Sequence, residues 1–215
     1  MGYALEERIG NPDLFTGRNE EMTYFLKWIS DIKERKSQST AVLARRKMGK
    51  TAIMERLFNI TFFKNDGVIP FYYEIKENAM WVGDFCVYFF LSFIYQYIAF
   101  KTRKPEYLKP EEKSNFDKVI EIAKKEGLGY LCGIIESAAH AVSHERIDIL
   151  LNIVREAPQT IAFRQKEFIL QMIDEFQFLN AMVYRDKDMK IPAKDLAGGV
   201  FKLSRKQNST FTGIG

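Results

Sequence analysis

Four short runs rich in apolar or β-branched residues fix what this chain can become. They are "TAVLA" (40–44), "VIPFYYEI" (68–75), "EFILQMIDEF" (167–176) and "STFTG" (209–213). Each has the length of a strand, and stretches with helical spacing separate them. Strands alternating with helices argue an α/β domain built on a mainly parallel sheet. Pro70 lies near the start of the second run, where a missing backbone donor is tolerated.

The helical stretches have recognisable ends. Asn19 reads as an N-cap, with Glu20 and Glu21 in the first turn where the helix dipole favours acids. Met22, Phe25, Leu26, Ile29 and Ile32 then recur at helical spacing, predicting a helix over 20–35 after an extended segment of 18 residues. Ile53, Met54, Leu57 and Phe58 mark one face of a second helix, which "NDG" (65–67) ends. From about 111 to 156 the pattern is helical again, and Ala157-Pro158 closes that block. A helical insertion over about 103–160 therefore lies within a single domain spanning 1–215.

The segment "MWVGDFCVYFFLSFIYQYIAF" (80–100) is apolar enough to imitate a membrane span. Asp84 and Gln96 interrupt it, and its aromatics are spread through it rather than gathered at the ends, so a buried core helix is expected. With 47% hydrophobic residues, 18 Phe and 10 Tyr, the chain can fill a core. Its 32 basic and 28 acidic residues leave +4, a near-balanced surface that does not by itself announce nucleic-acid binding. Cys86 and Cys132 sit in apolar surroundings and read as buried thiols of a reducing compartment. The first residues carry neither a secretory signal nor a myristoylation motif, since Glu6 stands where Ser or Thr is needed. The expected location is cytoplasmic, without a membrane partner.

Chemistry concentrates at two places. Gly49, Lys50 and Thr51 fall between a predicted strand and a predicted helix, the context of a phosphate-binding loop. In such a loop, inward-facing backbone N–H groups and the helix N-terminus replace water around phosphate oxygens. Lys50 would reach the β- and γ-phosphates, and the Thr51 hydroxyl would ligate Mg2+. The loop spans Ala44, Arg45, Arg46, Lys47, Met48, Gly49, Lys50, Thr51 and Ala52. Ala44 departs from the usual glycine and either strains the loop or sits at ordinary angles. Arg45 and Arg46 either add charge near the phosphates or point to solvent. The second place is the end of "ILQMIDE", where an apolar strand delivers Asp174 and Glu175. Asp174 is expected to hold Mg2+ and Glu175 to orient or activate the attacking water, which makes Glu175 and Lys50 the catalytic candidates.

The segments "LFTGRNEEM", "LARRKMGKTAIMERL", "VIPFYYEI" and "MIDEFQFLN" together resemble the archaeal-type ATPases of the AAA-related and STAND branch of P-loop NTPases. The likeness rests on Phe15, Gly17, Arg18 and Glu21, on Gly49 to Thr51, and on Asp174 to Gln177. It implies a three-layer α/β/α sandwich that binds ATP with Mg2+ and couples slow hydrolysis to a regulatory or DNA-related effector. A non-hydrolysing sensing or scaffold module is the alternative. It also implies that Phe15, Gly17 and Arg18 line the base pocket, although a helix-capping role fits Gly17 and Arg18 equally. "STFTGIG" resembles the family's fourth strand. The fifth strand and helical lid that the family carries are not found after it, so a C-terminally truncated domain is expected, with self-association or a separately supplied effector left open. His140 and His144, four apart, read as a surface or interface pair, and "SRKQN" (204–208) as a solvated turn.

Overall fold

The computed structural model describes residues 4–9, 15, 17–43, 48–108, 115–196 and 209–213. Within them the chain is mixed α/β. In order it forms α1 (Asn19–Ile32), β1 (Thr40–Ala41), α2 (Lys50–Lys64), β2 (Val68–Glu74), β3 (Met80–Trp81) and α3 (Val82–Thr102). There follow α4 (Phe116–Lys125), α5 (Cys132–Ser143), α6 (Ile147–Gln165), β4 (Phe168–Asp174), α7 (Phe178–Met182), β5 (Val183–Tyr184) and β6 (Ser209–Gly213).

Four strands make a wholly parallel sheet in the order β1-β6-β4-β2. The register of β2 on β4 runs from Val68 opposite Phe168 to Glu74 opposite Asp174. Successive side chains of a strand point to opposite faces, and β2 uses both. Phe71 and Tyr73 stack edge-on against Phe89 of α3, while Tyr72 turns the other way towards α2. Helices therefore cover both faces, which is why β2 and β4 read as nearly unbroken apolar runs rather than as alternating ones.

α3 is the long apolar segment. It is long and apolar enough to cross a membrane by composition, but 72% of its most apolar window is buried inside the fold. Phe85, Phe90, Phe93, Ile94, Tyr97 and Ile98 are all enclosed, as a core helix requires. Both cysteines are buried and unpaired, and burial pushes the Cys86 thiol up to about 12. A thiol held protonated in this way is a small hydrophobe rather than a nucleophile.

Several boundaries differ from the sequence expectation. Asn19 is the first residue of α1 and not its cap; Arg18 stands at the cap position, and its side chain bonds elsewhere. α1 stops at Ile32, once its last core-facing residue is buried. Pro158 does not close a helix but lies inside α6, which continues to Gln165. Proline costs a helix one hydrogen bond and some strain, yet Ala157, Pro158, Ile161 and Ala162 are all buried, and their packing keeps the helix continuous. The first residues are not a free extended segment. Asn59 of α2 accepts from Leu5 N–H at 2.8 Å and donates to Leu5 O at 2.8 Å. Arg8 N–H bonds to Glu55 at 2.8 Å, so residues 5–8 run antiparallel along α2.

A second, two-stranded sheet joins β3 to β5 in parallel, and periodicity gave no sign of pairs this short. Trp81 anchors it, donating Nε1–H to Arg185 O at 3.2 Å beneath the Lys187 ammonium, 4.9 Å from the ring. A Cβ at Gly83 would stand 2.4 Å from the indole. Gly83→Ala should therefore lower the urea midpoint, since about 1–3 kcal/mol of overpacking outweighs the roughly 1 kcal/mol that alanine adds to a helix. An unchanged midpoint would show that the indole moves freely.

Candidate functional site

β4 and α2 bring the two chemical segments together. Gly49 precedes α2 with φ +77°, a left-handed conformation that glycine adopts without cost. It lets the chain turn directly into the helix, and Ile53 N–H bonds back to Gly49 O at 3.1 Å. The N–H groups of the first turn, from Lys50 to Ala52, have no intrahelical acceptors, as at any helix start. Positive potential collects there. Ala44, Arg45, Arg46 and Lys47 lie outside the described residues, as does "SRKQN".

Asp174 ends β4 and is fully buried. Thr51 donates its hydroxyl to Asp174 Oδ2 at 2.6 Å across 123 residues of sequence, so the loop hydroxyl and the strand carboxylate share one hydrogen bond. Glu175 N–H binds Oδ1 at 2.9 Å, and the Tyr72 hydroxyl reaches Oδ2 at 3.3 Å. A buried carboxylate needs such donors. Glu175 leaves the strand with φ +54°, and its carboxylate accepts from the Gln177 amide. Asp174 and Glu175 thus occupy different settings: one is enclosed by the sheet and α2, the other sits on a turned-out corner.

Arg18 caps α1 through its backbone, accepting from Met22 N–H at 2.9 Å, while its side chain bonds elsewhere. Its guanidinium donates to Met48 O at 2.7 Å and pairs with Glu21 at 2.5 Å, tying the start of α1 to the residue before Gly49. Gly17 supplies a φ of +77° at that corner, and Phe15 packs, half-buried, against the core.

Sequence reasoning missed the polar cluster beside the site. Arg8 pairs with Glu74 at 2.5 Å, at the carboxyl end of β2, and with Glu55 at 3.5 Å on α2. Glu55 lies one turn beyond Thr51 on the same helix. Burial raises its carboxyl above the usual range, against the opposing pull of Arg8. Nothing in the periodicity marks these residues, because Arg8 meets Glu55 and Glu74 only once the first segment docks.

His140 and His144 are exposed neighbours with ring centroids 4.0 Å apart. His144 Nδ1 is engaged by His140 O at 2.9 Å and Ser143 Oγ at 3.0 Å. Among the described residues no group of three or more His, Cys, Asp or Glu could hold a metal by protein ligands alone. Any cation at Thr51 and Asp174 would share its coordination with a ligand or water, which is how Mg2+ is commonly held beside phosphates.

No family model, curated protein or solved structure matches the chain.

Proposed function

We propose that this chain is a P-loop ATP-binding domain, a three-layer α/β/α sandwich that takes ATP with Mg2+ and hydrolyses it slowly. The Thr51–Asp174 hydrogen bond carries this reading, because it places a loop hydroxyl and a buried strand carboxylate at one point beside a left-handed glycine and a helix N-terminus. The parallel sheet adds support: β1 and β4 both end on the loop side with β6 between them, and ligands of open α/β sheets bind outside the carboxyl ends of strands. The residues present fit the groups they are asked to hold. Thr51 and Asp174 supply hard oxygen donors for Mg2+, and Lys50 a mobile ammonium for phosphate.

Mg2+ bound there would neutralise charge on the phosphates. The chain's own part is positioning. The first turn of α2 cradles phosphate oxygens, Lys50 counters the charge that develops on transfer, and Arg18 holds the loop exit to α1. In this reading Glu175 takes a proton from an attacking water. Its engagement by Gln177 favours a second reading, a nucleotide-sensing module that binds without turnover. A cytoplasmic location and an effector supplied by a partner belong to the same proposal.

Phosphate release from ATP, with and without Mg2+, separates the readings. We expect slow Mg2+-dependent release that falls at least tenfold in Glu175→Gln while ATP affinity stays within about twofold. Release at the wild-type rate in that variant removes Glu175 from the chemistry. Binding without any release supports the sensing module.

A further inference from the structure

Tyr72 is not part of either motif, yet it touches the same carboxylate oxygen as Thr51. It sits on β2, one strand away from Asp174, and the register sets it opposite Met172 with its phenol reaching along the α2 face of the sheet. Its hydroxyl lies 3.3 Å from Asp174 Oδ2, and both residues are buried. A carboxylate can only accept, so at this contact the phenol donates. Burial first, then the charge of Asp174, drives the phenol's pKa far above its ordinary value, so it keeps its proton throughout the physiological range.

The residue is held from the other side as well. Gln96 of α3 accepts from Tyr72 N–H and donates to Tyr72 O, each at 2.8 Å, which locks the backbone that carries the phenol. Asp174 Oδ2 is thereby bracketed by two hydroxyls from two elements, while Oδ1 is fixed by Glu175 N–H. Thr51 can turn a lone pair to a cation and still donate to Asp174. Tyr72 gives the carboxylate a bond that does not change when a cation arrives, and so sets its rotation beforehand.

We infer that Tyr72 is a positioning residue for metal-dependent nucleotide binding, orienting Asp174 from the neighbouring strand through the contact of its hydroxyl with Oδ2. The inference rests on the nucleotide-and-Mg2+ reading of the site. Outer partners of metal-holding side chains change metal affinity by about ten- to a hundredfold when removed. A bond of 3.3 Å belongs at or below the lower end of that span.

Tyr72→Phe removes one oxygen and keeps the ring, so the packing against α2 is preserved. Titration calorimetry of ATP with Mg2+, and of ATP with chelator, is the test, run on both proteins. In the variant, the tightening that Mg2+ gives should shrink by about three- to tenfold, with chelator-only affinity unchanged within about twofold. A variant with full Mg2+ tightening overturns the inference. So does one whose two affinities fall together, since that is the mark of a structural role. If the wild type itself shows no Mg2+-dependent ATP binding, the functional reading fails first, and the two failures are told apart on the wild-type titration alone.

Discussion

Adding ATP with Mg2+ at about a hundred times its dissociation constant should raise the melting temperature by roughly 5–10 °C, and Lys50→Ala should erase nearly all of that rise. A ligand that binds only the folded chain stabilises it by mass action, about 2.7 kcal/mol at that excess. For a chain of 215 residues, each kcal/mol moves the midpoint by about 2–4 °C. Lys50 opens α2 where the loop ends, and in the proposed site its ammonium is the charge that meets phosphate. If its loss costs about a hundredfold in affinity, the same ATP concentration contributes only about 0.4 kcal/mol, or roughly 1 °C. Alanine is a good helix residue at that position, so the ligand-free midpoint should hardly move. A full ATP-induced rise in Lys50→Ala would place the nucleotide away from this loop and dismantle the proposed site.

The parts of this molecule that were legible in the sequence share a physical cause. Ile53, Met54, Leu57 and Phe58 announce α2 because one buried face repeats every turn, and all four are in the core. β2 and β4 are legible for a related reason: strands covered on both faces read as unbroken apolar runs. Asp174 stands out because an acid ending such a run is costly unless something needs it there. What stayed hidden depends on tertiary contact. Pro158 suggested a helix end because proline breaks isolated helices, and only burial against the fold overrides that. The docking of Leu5 and Arg8 on Asn59 and Glu55 leaves no periodic trace, since it is made of backbone groups meeting polar side chains 54 and 47 residues away. Arg18 was legible as a motif residue together with its ion-pair partner Glu21, but its tie to Met48 was not, because that partner is a backbone carbonyl, which no side-chain pattern encodes.

Gln96 shows the same limit from the opposite direction, and its replacement should be clearly destabilising. In the sequence it interrupts an apolar helix and argues only against a membrane span. In the fold it closes the edge of the sheet. β2 is the last strand in the order β1-β6-β4-β2, and its residues alternate between bonding to β4 and facing outward. Tyr72 faces outward, and the Gln96 amide meets both of its backbone groups, accepting from N–H and donating to O as a neighbouring strand would. An uncovered edge invites pairing with another chain, and α3 supplies the cover without adding a strand. Gln96→Leu has nearly the same volume but leaves a donor and an acceptor unmet, each worth about 1–3 kcal/mol when buried. Gln96 is only half-buried, so water will recover part of this. We expect a net loss of about 2–3 kcal/mol, read as a lower urea midpoint at unchanged slope, together with concentration-dependent association through the opened edge. The second effect separates this account from simple loss of packing, which would leave the variant monomeric at every concentration tested. A Gln96→Leu protein with the wild-type midpoint would mean that β2 satisfies its edge by other means, and that the clamp on Tyr72 is incidental to the site it serves.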